Sequence, residues 1–304
     1  MIDFSTQILL LINTIIEYIG TENLPIIIKI ALVVIVIAVI YSCIKTIKNS
    51  KRRNAIALSQ MLTKDKCIEI YYEMMKLYKD GIKVEQFNDM MMNELKEFLN
   101  QISEMFTLIT KKEICATLRV LEQKGSIDNS SVILLQYSKT HDRDREETFK
   151  RILKGEMENE KIVKENTDYY EIIGENRKNY DPYFYESNLE LYNKILKISQ
   201  QGEYNNTTKD WNKYYIGKII VPIRMGHDKL FFTEGDKGYD LLGFLTIDSK
   251  SRFAFSRIKS KKNLNLSILE TYSAYLYIIL NKYKYYLKKL EIKEGMKKVE
   301  ENKK

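Results

Sequence analysis

Cysteine, proline and tryptophan are scarce in this chain: its 304 residues hold three Cys, three Pro and one Trp. The three cysteines show no paired spacing. That excludes a disulfide framework, a zinc ribbon and a Cys-x-x-Cys redox site, and it points to a reducing compartment. A Gly-rich phosphate loop and a Gly-x-Ser-x-Gly elbow are also missing, and the only histidines are His141 and His227. With no third group to orient either imidazole there is no acid–base skeleton, and no enzyme is expected. His141-Asp142-Arg143-Asp144 gathers three metal-type ligands, but Arg143 and Arg145 repel a cation, so no metal is expected. Lys, Asn, Ile and Tyr are abundant throughout, a general bias that carries no functional weight. At 44% apolar and 11% aromatic the chain has material for a core and lacks the composition of a disordered protein.

The net charge of +8 suggests a nucleic-acid binder until it is divided along the chain. Residues 1 to 24 carry only Asp3, Glu17 and Glu22. Residues 25 to 53 carry Lys29, Lys45, Lys48, Lys51, Arg52 and Arg53 and no acid, and residues 282 to 304 carry nine Lys against four Glu. The remainder, 54 to 281, is balanced at 34 basic and 34 acidic residues. A nucleic-acid-binding body spreads its cations over a binding face, so none is expected here.

Between the acidic start and the basic segment lies Ile26 to Ile44 (IIIKIALVVIVIAVIYSCI). Nineteen residues rising ~1.5 Å each cross a ~30 Å hydrocarbon core, so a transmembrane helix is expected. Lys29 lies near its end and can snorkel, Pro25 suits a helix start, and Tyr41 suits an interface. A cleaved signal peptide fits less well, since the apolar run is long and no basic leader precedes it. Lys and Arg crowd the C-terminal side, which places the N-terminus outside and the bulk of the chain in the cytoplasm, behind the plasma or inner membrane. Upstream, residues 4 to 19 are interrupted by Gln7, Asn13 and Glu17. They read as an interfacial amphipathic helix or self-association patch, with a second span as the alternative.

Beyond the membrane the pattern is helical to about residue 110, with a stop expected at Gly81. Leu58, Met61, Asp65, Ile68, Tyr72 and Met75 recur at heptad spacing. This fits either a parallel coiled coil between two copies or a helix packed on its own body. Four strands are expected, at Glu113 to Glu122, Val132 to Tyr137, Tyr214 to Arg224 and Leu241 to Ser249. Helices are expected at Asp142 to Leu153, Ser187 to Ser199 and Leu264 to Leu290. The last carries a stripe from Ile268 to Leu290 that a single core need not consume, so a homodimer is expected. The fold class is thus α+β: an antiparallel or mixed sheet flanked by helices behind an N-terminal transmembrane helix. The expected division is an amphipathic segment (1–24), a transmembrane helix (25–45), a helical linker (46–83), a domain (84–290) and a charged tail (291–304).

Within 84–290, Tyr215 to Arg224 (YIGKIIVPIR) followed by Leu242 to Ser249 (LGFLTIDS) resembles the consecutive Val-Pro-Ile and Gly-x-Leu-x-x-Asp strands of GAF domains. Asn166-Thr167-Asp168-Tyr169, Tyr183-Phe184 with Ser187-Asn188-Leu189, and Tyr204-Asn205-Asn206 resemble a divergent, membrane-tethered bacterial subgroup. The resemblance implies a small-molecule pocket between sheet and helices whose occupancy is passed to a neighbouring helix. No cofactor is named by it. The cyclic-nucleotide signature is missing after Asn193-Lys194, Cys115 is a lone strand thiol, and the two histidines do not support haem.

The ligand-binding set expected from the residues is Arg119, Arg143, Arg145, Asn166, Thr167, Arg224 and Asp248. Arg119 interrupts an alternating strand, Arg224 closes one strand, and Asp248 ends the next. Arg143 and Arg145 begin a helix, where the dipole disfavours cations, and so suit an anion or a carboxylate. Asn166 and Thr167 offer donors and acceptors in an irregular segment. Arginines with such a lining suggest an anionic or nucleotide-like ligand; the alternative pairs Arg143 or Arg224 with Asp248 or Glu147 as a bridge. Tyr204, Trp211, Tyr214 and Tyr215 read as core aromatics rather than a base-stacking platform.

Two functions follow: a membrane-anchored sensory module signalling to a dimer or partner protein, or a membrane effector or scaffold, as in a bacterial immune system, whose body drives assembly. The orientation is checked by Glu22→Cys in intact cells. A membrane-impermeant thiol reagent is expected to label it, and labelling confined to cysteines placed in the body would invert the topology.

Overall fold

The computed structural model describes residues 25–138, 160–175, 182–207, 211–213, 215–224 and 241–301, together with residues 10, 13, 14, 17 and 20. It divides the chain into two compact units, Met1–Leu58 and Ser59–Lys304. The expected helix over Asp142 to Leu153, with Arg143, Arg145 and both histidines, lies outside the described residues, as does most of the segment before Pro25.

In the first unit, helix α1 (Ile26–Asp80) begins directly after Pro25. Ile30, Val33, Val34, Ile35, Ile37, Ile40 and Ile44 are all exposed, so this apolar stretch of the helix is not explained by burial in a core. Among the described residues, one helix is long and apolar enough to cross a membrane, with a best window of mean hydropathy 1.6 and none of that window buried.

The second unit starts inside α1. Thr63, Cys67, Ile70 and Met74 recur at one helical face and are buried. Residues 59–83, expected as a linker, therefore contribute to the body's core. Gly81, at φ +66°, ends the helix in the left-handed region, and α2 (Val84–Thr110) buries Phe87, Met91, Leu95, Phe98 and Ile102. Strands β1 (Cys115–Lys124) and β2 (Ser126–Tyr137) form a hairpin about Gly125. Then come β3 (Glu160–Ile162), α3 (Thr167–Ile173), β4 (Phe184–Glu186), α4 (Leu189–Ile198), β5 (Gly217–Ile223), β6 (Gly243–Ser249) and α5 (Lys259–Glu301). The helix α5 runs 43 residues, so the segment expected as a charged tail continues it to Glu301.

The six strands form one antiparallel sheet in the order β3-β2-β1-β6-β5-β4. The all-antiparallel pairing resolves the expected antiparallel or mixed sheet. Alternation sends Ala116, Leu118, Ile219, Val221, Leu245 and Ile247 to a first face, into one core with α1, α2 and α5. That core also takes Ile268, Tyr272, Ile279 and Leu290, so the stripe on α5 expected at a dimer seam is consumed inside the protein. The second face carries Leu121, Val132, Ile220 and Phe244, covered by Tyr169, Ile172 and Ile173 of α3, Leu189 and Leu196 of α4, and Tyr204. Because both faces are covered, every residue of β5 and β6 is buried.

At the start of β6, Gly243 lies against β1 so closely that a Cβ would come 2.0 Å from the Arg119 carbonyl oxygen. The atoms it would meet all belong to the backbone of β1, so the strands themselves would have to part. Gly243→Ala is expected to lower stability by about 3 kcal/mol or more, read by thermal melting.

Candidate functional site

The strand β5 reads GKIIVPI, and its single charge, Lys218, is buried with the rest. Alternation puts Lys218 on the second face, in register with Asp248 of β6. Its ammonium donates to the carboxylate of Asp168, the second residue of α3, and the two are 4% and 0% exposed. The Tyr204 hydroxyl donates to the same carboxylate at 3.1 Å. The Asn206 amide in turn donates to Tyr204 at 3.2 Å, and Lys161 of β3 donates to the Asn206 carbonyl oxygen at 2.9 Å. The rings of Tyr215 and Tyr169 flank Lys218, with centroids 4.8 and 5.6 Å from Nζ. A connected polar cluster thus lies beneath α3, fed by β3, β5, β6 and the segment 204–206.

Arg119 of β1 stands beside this cluster. Its Nη1 is buried with no hydrogen-bond partner among the described residues. Among the described residues, Arg119, Lys161 and Lys218 and the carboxylates of Asp168 and Asp248 act on one another here. Burial would by itself raise the Asp168 carboxyl, but Lys218 and Lys161 and the bonds from Lys218 and Tyr204 outweigh it and hold it below the usual carboxylate range. Burial opposes the charge on Lys218 too, yet Asp168 and the flanking tyrosines push it above the ordinary lysine value. Burial, then Lys218, then Arg119 drive Lys161 well below the ordinary lysine value.

Asn166 and Thr167 fasten the cluster's edge. The Asn166 side-chain oxygen accepts from the Thr207 N–H at 3.1 Å, and its amide donates to the Ile162 carbonyl at 2.8 Å. Thr167 exchanges bonds with Asn205, its Oγ1 accepting at 2.8 Å and its N–H donating at 3.0 Å. The structure therefore brings Arg119 and Asp248 to one cluster and uses Asn166 and Thr167 to clamp 205–207 onto the start of α3. Arg224 follows Ile223, at the far end of β5 from the Lys218–Asp248 pair, so the Arg224–Asp248 bridge is not formed. Arg143 and Arg145 lie outside the described residues.

Sequence reasoning passed over Lys161, Asp168, Tyr204 and Lys218. One signal was available: Lys218 is the only charge in an otherwise apolar strand, and such a charge demands a partner. The aromatics Tyr204, Trp211 and Tyr215 do pack together, with Tyr204 and Trp211 edge to face at 5.0 Å, as core aromatics would. Cys67 and Cys115 are both buried, and burial pushes the Cys67 thiol up.

No protein-family model matches the sequence, and no curated protein matches it. Among solved structures, the chain is similar to the GAF domain from an Acinetobacter phosphoenolpyruvate-protein phosphotransferase, at 11% identity and a TM-score of 0.34, over 71% of this chain and 92% of that one. It is likewise similar to the GAF domain from a Coxiella burnetii phosphoenolpyruvate-protein phosphotransferase, at 11% identity and a TM-score of 0.34, over 71% of this chain and 96% of that one.

Removing one partner of the buried pair strands the other. Asp168→Asn is expected to cost about 3–5 kcal/mol, with part recovered in Asp168→Asn/Lys218→Met. A carboxyl held low in the folded state contributes stability above its ordinary titration range and loses it as pH falls through the folded value. Thermal melts against pH should therefore show an acid limb in the parent that is shallower in Asp168→Asn.

Proposed function

We propose that this protein is a single-pass membrane-anchored, GAF-like sensory module. It binds a small anionic or nucleotide-like ligand on the second face of its sheet and signals through its helices to a second copy or a partner protein. The observation that carries this reading is the buried Nη1 of Arg119, which has no hydrogen-bond partner among the described residues and lies on the sheet face that also holds Lys161 and Lys218. A buried donor without an acceptor costs about 1–3 kcal/mol, and an anion placed there relieves that penalty. The role is recognition rather than catalysis.

Anchoring is supported by the apolar start of α1, none of which is buried, and a cytoplasmic orientation of the body by the Lys and Arg that follow. Self-association is supported by Met61, Ile68 and Tyr72, exposed on α1 opposite the buried Thr63, Cys67, Ile70 and Met74. The same stripe favours the second reading, a membrane effector or scaffold whose body serves to assemble copies.

The test is thermal melting of the full chain in detergent with a panel of nucleotides, polyphosphates and dicarboxylates. A ligand at a hundredfold its Kd is expected to raise Tm by about 5 °C, and Arg119→Gln should abolish the shift. Lys161→Met should melt higher than the parent without ligand. Between the lowered folded value and the ordinary one the unfolded chain binds more protons at this lysine, so the folded state is penalised at neutral pH. A chain that is dimeric yet unmoved by every anion sinks the sensory reading in favour of the scaffold.

A further inference from the structure

Between β6 and the second turn of α5 the chain carries cations and bulky apolar groups without a compensating acid. Residues 249–269 contain no Asp or Glu, while Lys250, Arg252, Arg257, Lys259, Lys261 and Lys262 are all basic. Interleaved with them, Phe253 is 63%, Ile258 60% and Leu264 54% exposed. Phe253 sits at φ +58°, a left-handed conformation that a bulky residue rarely adopts, and the ring is turned out to solvent.

Some of these charges are already engaged. Arg252 bonds Glu190 at 2.7 Å, Arg257 bonds Glu186 at 3.1 Å, and Lys262 lies over the rings of Tyr183 and Tyr185. Lys259 and Lys261 stand exposed in the first turn of α5.

The packing fixes which end of the body this is. Tyr272 of α5 meets Thr63 and Cys67 of α1, and further along Tyr286 stacks on Tyr78 at 4.5 Å. The two helices therefore run in the same direction, and α5 begins at the end where the chain enters the body at Ser59. The opposite run of α2, with Phe87 against Tyr283 and Phe98 against Tyr272, delivers the exposed Lys111 and Lys112 to that same end. The Ser249 hydroxyl donates to the Glu113 carbonyl at 2.6 Å and ties the two corners together.

We propose that residues 250–264 form a docking patch for an anionic lipid surface, with Phe253, Ile258 and Leu264 seated among headgroups and Lys259 and Lys261 against their phosphates. Cations alternating with aliphatic and aromatic side chains suit an interface that is charged outside and apolar beneath. The site of the patch, at the end where the chain arrives from its apolar helix, rests on the anchored reading above; its composition does not. A body held by a single anchor would pivot about it, and a second lipid contact restricts that motion.

The experiment is amide hydrogen exchange of the full chain in nanodiscs of phosphatidylcholine, without and with phosphatidylglycerol. Exchange over 250–258 is expected to slow about tenfold with the anionic lipid, and Lys259→Gln/Lys261→Gln/Phe253→Ser should lose that protection while exchange in the sheet stays the same. Equal protection in both lipids, or protection that survives the triple variant, overturns the proposal. Protection produced by an oligonucleotide and not by lipid assigns the patch to nucleic acid and overturns it as well. Retention in both discs reports anchoring by itself. If neither disc retains the chain, anchoring fails, and the same comparison is read with vesicles of the two compositions added to the chain.

Discussion

The ion pair between Lys218 and Asp168 is the constraint around which the second half of the body is arranged. Two ions taken out of water each carry several kcal/mol of desolvation, and only close approach together with further bonds offsets that. The Tyr204 hydroxyl supplies one such bond and the rings of Tyr215 and Tyr169 a favourable field. Satisfying the pair fixes α3 over β5 and brings 204–206 alongside, and the Asn166 and Thr167 bonds to 205–207 complete the clamp. A seven-residue helix has little stability of its own, so the charge that α3 carries inward largely determines where it sits.

The sheet thereby has two faces of different character. The first is apolar and packs three helices; the second mixes apolar residues with the polar cluster of Lys161, Asp168, Tyr204 and Lys218. The strands β5 and β6 are buried on both faces and so lie between the cluster and the helices of the first face. One direct link is the Ser273 hydroxyl of α5, which donates to the Pro222 carbonyl of β5 at 2.5 Å. Close packing of this kind transmits small displacements rather than absorbing them. That connection, from cluster to strand to α5 and so to α1, is the physical basis on which the sensory reading stands.

Charge elsewhere follows a related logic. From 54 to 281 the chain is neutral in sum, yet neutrality in sequence does not mean neutrality in space. The turn after β6 and the start of α5 gather cations at the end where the chain enters the body, beside exposed Phe253, Ile258 and Leu264. Dividing charge by segment showed the basic stretch after the apolar helix but hid this second concentration, because acids elsewhere in the segment cancelled it.

Local chemistry made much of the fold legible. Gly81 marked a helix end because a left-handed residue is tolerated best without a Cβ, and the apolar periods of α2 and of β1, β2, β5 and β6 marked elements close to those observed. The three-residue strands β3 and β4 were missed, since three residues carry no period. Arg119 and Asp248, which the structure brings to one cluster, stood out in sequence because Arg119 interrupts an alternating strand and Asp248 ends another. Asp168 and Lys161 were not, and they gain their meaning from a Lys218 that lies 50 residues from Asp168 in sequence. The stripe on α5 looked surplus for the same reason: periodicity shows that a face is apolar, and only packing shows what covers it. The sequence alone determined the long helices and the four longer strands, where an apolar helix of membrane length lies, and which of those strands carry anomalous charge. Tertiary structure alone decided which distant charges meet, because that depends on strand order and long-range pairing, and residues far apart in the chain share no local signal.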